Sequence, residues 1–412
     1  MVILPGFGPG DSGSTPLGTI IPYHFFLKVF EMERLLIVGV NTRPVAKAAY
    51  DLGFEVYSVS YYCPEDFDSY HERRCILEQE PLKSSGRFHE KFKPSNLKVL
   101  AEDFLDEVDK IIVLSGGFPE DFPSRKILGN KKTQKIEDKY TLYKRLCGKF
   151  KVPETYKLDD IEEAWEIQKQ KPQKRFLIKP LIGSGGFGVS PISDYRGDPK
   201  GPFILQEFIE GLHLSASVLS TGKDTMTILT SRQLINTNIR GWENNFIYAG
   251  NIAPAPYPEI KKVGEDVIKS LALIGSNGVD MVLSPDGLYV IEVNPRIQGT
   301  FECAQLSLGI NMLSAHISAC EGELINEPPR KKYTMKKIVY TPFKCQVGDL
   351  NLPRVYDIPC DGSIIEAGEP LVTLLDSHEN LNILLGNIKR SFKQVMGRLK
   401  VLDRHPYYTQ EY

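Results

Sequence analysis

The chain has 412 residues, a length that calls for roughly two to four compact units rather than one core. Hydrophobic residues make 42% and charged residues 25%, the proportions of a soluble globular protein, which excludes disordered and fibrous classes. A formal net charge of −2 argues against a general binder of nucleic acid or membrane surfaces.

Residues 1–31 are rich in Gly, Pro and Ser and read as a flexible N-terminal extension. Their apolar stretch Leu17–Phe30 is short and broken by Pro22 and His24, unlike a signal peptide or a membrane span. Seven scattered cysteines without a CxxC pair point to a reducing, cytoplasmic setting rather than a disulfide framework.

Residues 34–40 form an apolar run of strand length, followed by a helical pattern over Pro44–Leu52, a stop at Gly53 and a second run over Phe54–Ser60. With a further strand at Lys110–Leu114, this predicts a Rossmann-like layer over 32–122. Its first turn, from Val40 to Pro44, lacks the dinucleotide fingerprint. A basic helical stretch over 125–151 is interrupted by Glu137 and Asp138 and reads as a solvated face. A helix is expected over 159–170, then strands over 176–180, 203–209, 213–221, 224–236, 277–284 and 288–294, with a helix over 259–273. A second domain is thus placed at 123–330, with a small lobe at about 151–212. From 331 to 412 the pattern predicts a small β-rich unit closed by a helix over 380–399.

Gly183, Gly185, Gly186 and Gly188 spell GxGxxG after a strand, but Pro191, Pro199 and Pro202 forbid the helix that a dinucleotide fold needs. The remaining reading is a strand-loop-strand flap whose backbone N–H groups can approach phosphate oxygens. Lys179, at the end of the entering strand, supplies a point charge for the same anion. No P-loop lysine and no kinase triplet is present.

The strongest local pattern is 277–296. Pro285, Asp286 and Gly287 suit a three-residue hairpin loop, which sets Ser284 opposite Leu288, Val282 opposite Val290 and Asp280 opposite Glu292. Asn294 then shares the acidic face, while Val279, Met281, Leu283, Tyr289, Ile291 and Val293 form an apolar one. Facing carboxylates call for a compensating cation, and hard oxygen ligands suit Mg2+, with Mn2+ as a substitute. The simpler reading is an exposed hairpin whose acids face water.

In this order of parts the chain resembles the ATP-grasp superfamily over 34–330, and within it the archaeal-type carboligases related to tyramine–glutamate ligase. The resemblance implies an α/β and α+β fold, with a Rossmann-like domain before a two-lobed ATP-grasp domain and a small C-terminal β-rich unit. It implies ATP held by Lys139 and Lys179, by the glycine flap, by a hinge at Gln206, Glu207, Phe208 and Ile209, and by His213 where the family often has a ribose-binding glutamate. It also implies metal ligands at Asp280, Glu292 and Asn294, with Arg296 acting beside Lys179 on the transferring phosphoryl group. Arg232, Tyr248, Asn251 and Gln298 are candidate substrate contacts.

The expected reaction is ATP-dependent joining of a small carboxylate to an amine through an acyl phosphate, with ADP and phosphate released and a homodimer left open. Two rival readings are a biotin-carboxylase-like subunit and a non-catalytic nucleotide-binding regulator. For the first, Met335, Lys336 and Lys337 form a biotinyl-like dipeptide pattern set in a basic linker, so the carrier would be another chain.

Overall fold

The computed structural model describes residues 32–403 apart from 184, 198, 200, 237–245 and 327–331; the extension at 1–31 lies outside the described residues. Its first layer is a four-stranded parallel sheet in the order Glu72–Leu77, Glu55–Tyr62, Arg34–Gly39, Lys110–Val113. Leu35, Leu36, Ile37 and Val38 are fully buried, as a parallel strand covered on both faces requires. Arg43–Asp51 starts with proline in its first turn and packs Val45, Ala46, Ala48 and Ala49 inward. The strand Glu72–Leu77 was not anticipated; only Leu77 in it is buried, so it lacks an apolar signature.

The small lobe is a four-stranded sheet in the order Thr155–Leu158, Phe203–Glu207, Phe176–Pro180, Ser190–Pro191. Ile161–Gln170 covers it, capped by Asp160, whose carboxylate accepts from Glu162 N. The pairs Leu177 with Pro191 and Ile178 with Ser190 make the glycine segment a hairpin flap. The expected long basic helix is two short ones, Gln134–Glu137 and Lys139–Leu146, because Asp138 ends the first and caps the second through Thr141 N at 2.6 Å.

The largest element is an eight-stranded sheet. Its order is Gly287–Asn294, Ile274–Ser284, Leu212–Thr221, Thr225–Asn236, Ile247–Ala253, Tyr333–Tyr340, Pro370–His378, Val355–Tyr356. It runs without a break from the acidic hairpin into the C-terminal segment. Met335, Lys336 and Lys337 therefore lie mid-strand, paired on both sides, and not in a linker. Helix Glu259–Ser270 buries Ile260, Val267 and Ile268 on one side of the sheet. The unanticipated helices Phe301–Leu308 and Met312–Cys320 share a core with the first layer. Helix Leu381–Met396, capped by Asn380, packs Leu384, Ile388 and Phe392 against the C-terminal strands.

The acidic hairpin departs from the expected register. Its loop holds two residues, with Ser284 paired to Gly287, Leu283 to Leu288, Val282 to Tyr289 and Met281 to Val290. A bulge between Asp280 and Met281 then absorbs Ile291, and Asp280 faces Glu292, Val279 faces Val293 and Gly278 faces Asn294. The bulge exchanges two side chains relative to simple alternation. Val290 enters the core at 2% exposure, and Ile291 turns toward the cavity described below.

Candidate active site

A cavity of about 540 Å3 is walled by the small lobe, the flap, the acidic hairpin, the first layer and the C-terminal strands. That is the size range of a small-molecule or cofactor site. Lys139, Lys179, Gly183, Gly185, Gly186, Gln206, Glu207, Phe208, Ile209, His213, Tyr248, Asp280, Glu292, Asn294, Arg296 and Gln298 all line it. Gly188, Arg232 and Asn251 do not. Arg232 is exposed on its strand, whereas Asn251 is fully buried behind the wall and accepts from Tyr248 OH at 3.0 Å.

Two lysines converge on the hairpin. Lys139 Nζ donates to Gly183 O at 2.7 Å and lies 3.4 Å from Glu292 Oε1. Lys179 Nζ donates to Gln206 Oε1 at 2.7 Å, and Gln206 Nε2 donates to Thr155 Oγ1 at 3.0 Å. Burial and the neighbouring Lys139 push Lys179 down to about 8, with Glu292 opposing. Two ammonium groups held this close favour an anion at the flap. Burial, then Lys179, also lowers His213, which favours a neutral imidazole.

At the expected hinge, several N–H groups are already used within the small lobe. The Gln206 side chain holds Lys179, and the N–H groups of Glu207 and Phe208 bond to Glu154 O and Arg175 O within the small lobe. Gln206, Glu207 and Phe208 therefore do not offer their N–H groups to a ligand, since Gln206 pairs with strands on both sides.

Asp280 is pushed up to about 7, first by burial and then by the facing Glu292, against bonds from Ser215 and Asn294. Asn294 Nδ2 donates to Asp280 Oδ2 at 3.0 Å. Among the described residues no group of three His, Cys, Asp or Glu side chains forms a metal cluster, so the hairpin alone offers two carboxylates and an amide. Arg296 Nη1 meets Glu137 Oε1 at 2.6 Å, with side chains 11% and 17% exposed. Gln298 Oε1 accepts from Ser217 Oγ at 3.2 Å, and its amide lies over Gly278, where a Cβ would fall 1.2 Å from Nε2.

The flap is docked. Gly185, Gly186 and Gly188 have φ of +69°, +84° and +73°, Tyr248 N donates to Gly185 O at 3.3 Å, and a Cβ on Gly186 would meet Phe246 O at 2.0 Å. Phe187, at the flap tip, lies 5.4 Å from the Phe88 ring.

Sequence reasoning missed the far half of the cavity. Asn41, Tyr61, Tyr62 and Phe88 reach it from the first layer, and Lys336, Tyr340, Asp357 and Glu369 from the C-terminal segment. Beside it, Arg43 meets Asp357 at 2.7 Å, Glu302 at 2.9 Å and Asp66 at 3.4 Å, while Lys336 Nζ meets Glu302 at 2.8 Å. Burial raises Asp357, but Arg43 and Lys336 more than offset it and hold the carboxyl at about 2. Of these, the sequence had drawn attention only to Lys336, and there as part of a biotinyl-like dipeptide.

Residues 136–300 match the model of the ATP-grasp domain. An uncharacterized protein of Methanocaldococcus jannaschii is 33% identical over 373 residues, which is 86% of this chain and 91% of that one. The tyramine–L-glutamate ligase of the same organism is 28% identical over 205 residues, 48% of this chain and 54% of that one. The solved L-amino acid ligase of Bacillus licheniformis superposes with a TM-score of 0.64 at 15% identity, over 90% of this chain and 99% of that one, a likeness of fold. The chain belongs to the ATP-grasp superfamily, in its archaeal-type carboligase group. Among the described residues, no helix is long and apolar enough to cross a membrane.

Proposed function

We propose that the protein joins a small carboxylate to an amine, driven by ATP, through an acyl phosphate. The observation that carries this reading is the convergence, under a docked glycine flap, of Lys139, Lys179, Arg296 and the facing pair Asp280 and Glu292 on one cavity. Lys139 and Lys179 are placed to hold the triphosphate, and Arg296 to offset charge on the transferring phosphoryl group.

The donor set fits a divalent cation. Burial, and then the facing Glu292, raise the Asp280 carboxyl, and a cation held by the two carboxylates would offset both effects. Asn294 now turns its NH2 to Asp280; as a third ligand its amide would turn over to offer Oδ1. Mg2+, or Mn2+ in its place, would supply charge neutralisation for the phosphates at this hairpin.

In this reading a carboxylate oxygen attacks the γ-phosphorus and ADP leaves; the amine nitrogen, as its free base, then attacks the acyl carbon, phosphate leaves, and the nitrogen releases a proton to solvent as the amide forms. The docked flap excludes water that would hydrolyse the intermediate. Tyr248 and Gln298 are the retained substrate contacts, while Arg232 and Asn251, off the cavity wall, act at most through neighbours. Residues 32–122, 123–330 and 331–412 are assigned as Rossmann-like, ATP-grasp and C-terminal units, in a cytoplasmic enzyme.

The test is ADP release over a panel of carboxylates and amines, with hydroxylamine present. A hydroxamate formed only with ATP and one class of carboxylate is expected. ADP release from an active pair without any hydroxamate would remove the acyl phosphate from the scheme.

A further inference from the structure

Glu369 lies just before the strand Pro370–His378 and is 6% exposed, yet it lines the cavity. One carboxylate oxygen, Oε2, accepts from Phe88 N at 3.0 Å. Among the described residues no lysine, arginine or histidine forms an ion pair with it; His89 and Arg87 act only as weaker background charges. A buried carboxylate without a paired cation is costly, and its carboxyl is accordingly raised, chiefly by burial.

The surroundings are aromatic. Tyr61 and Tyr340 are both close enough to feel its charge, which raises their phenols after burial has done so. Tyr61 and Phe88 meet edge to face at 4.8 Å, and all three rings line the same cavity as Glu369. A buried carboxylate that faces a cavity among aromatic rings is the chemistry that receives an ammonium group by charge pairing. Phe88, stacked on Phe92 at 4.8 Å and 5.4 Å from Phe187, packs the wall and holds the carboxylate through its N–H. Leu77, Ile365 and Leu371 continue the lining with apolar surface. Tyr340 OH donates to Tyr248 O at 3.0 Å, and Tyr248 N in turn holds Gly185 of the flap. With Phe187 against Phe88, the docked flap therefore closes over this end of the cavity as well.

We propose that Glu369, held by Phe88 N and flanked by Tyr61 and Tyr340, is the recognition site where the acceptor's amine enters as an ammonium group, whose proton leaves before the nitrogen attacks. The acceptor class is then an organic amine with an apolar body rather than an acidic or neutral one. This rests on the ligase reading of the same cavity, but binding alone can test it.

The experiment titrates the full-length protein, by calorimetry, with 2-phenylethylamine and hexylamine against their uncharged counterparts 2-phenylethanol and hexanol. Glu369→Gln keeps an oxygen for Phe88 N and removes only the charge, and unchanged ATP binding by the variant reports an intact fold. The expected result is that the amines bind better than the alcohols, and that Glu369→Gln weakens the amines roughly 10- to 100-fold while leaving the alcohols unchanged. Equal binding of amine and alcohol, no amine binding, or no effect of Glu369→Gln overturns the proposal. If that variant does not fold, Tyr61→Leu replaces it: a loss confined to amines supports the site, and an equal loss overturns it. Hydroxamate without amine selectivity would leave the ligase standing and remove this site; amine selectivity without hydroxamate would do the reverse.

Discussion

Arg296 and Glu137 hold each other at 2.6 Å at the edge of the cavity, the arginine following the acidic hairpin and the glutamate ending a four-residue helix. Burial raises the Glu137 carboxyl, and Arg296 pulls it back. The guanidinium is thereby fixed in place before any substrate arrives. Arg296→Lys is expected to lower kcat by about 100-fold or more while nucleotide affinity changes little, because a lysine cannot reproduce the planar fork. Glu137→Gln keeps one hydrogen bond and should fall between the two. ADP-release kinetics and calorimetric ATP binding, run side by side, check this; a loss of ATP affinity equal to the loss of kcat would place Arg296 in ground-state binding instead.

Gly186 is the contact by which the flap sits on the segment at Phe246. Its φ is +84°, and a Cβ at this position would lie 2.0 Å from a backbone oxygen, so alanine cannot be accommodated by a side-chain shift. Gly186→Ala should raise the KM for ATP and make the flap more open to protease cleavage, with little change in the thermal midpoint of the fold. If ATP protects wild type and variant equally from cleavage, docking of the flap on Phe246 has no part in nucleotide binding.

The facing of Asp280 and Glu292 was legible from the sequence because a hairpin is a local matter, although the one-residue offset expected in a three-residue loop is supplied by the bulge after a two-residue one. The bulge at Ile291 was not, since nothing in that residue distinguishes an extra strand position from a regular one. Helices Phe301–Leu308 and Met312–Cys320 escaped for a different reason. They lie in the core shared by the sheet and the first layer, so their apolar residues do not mark a single face. Ile247–Ala253 escaped because its glycine serves close packing: a Cβ at Gly250 would meet Lys336 O at 2.0 Å. The far half of the cavity was invisible because its groups pair over hundreds of positions, as Phe88 and Glu369 do, and no local spacing records such a contact.

The group of Arg43, Lys336, Asp66, Glu302 and Asp357 ties the first layer to the helix after the hairpin and to the C-terminal strands. Arg43→Met leaves Glu302 and Asp357 buried without their shared guanidinium, and is expected to cost about 3–5 kcal/mol of stability. Adding Asp357→Asn removes one orphaned charge and should recover part of that loss, since residues in one network do not add independently. Urea unfolding of the single and double variants checks the pair. Additive losses would show that Arg43 and Asp357 act separately.

His316 gives the fold a pH dependence of definite sign. Its Nδ1 accepts from Ser276 N at 2.8 Å, which leaves the proton on Nε2, 3.3 Å from Leu128 O. Burial pushes its pKa down to about 4, below the unfolded value near 6.5. The unfolded chain therefore binds the proton first. The stabilisation is fully present above pH 6.5 and is lost as pH falls toward 4, amounting to about 2 kcal/mol between pH 7.5 and 5. Protonation would also abolish the acceptor that Ser276 N uses. Urea unfolding at pH 7.5, 6 and 5 should show this decline in the wild type, and His316→Gln, which cannot titrate, should show a shallower one from a lower starting stability. Parallel declines in the two proteins would assign the acid sensitivity to carboxylates elsewhere.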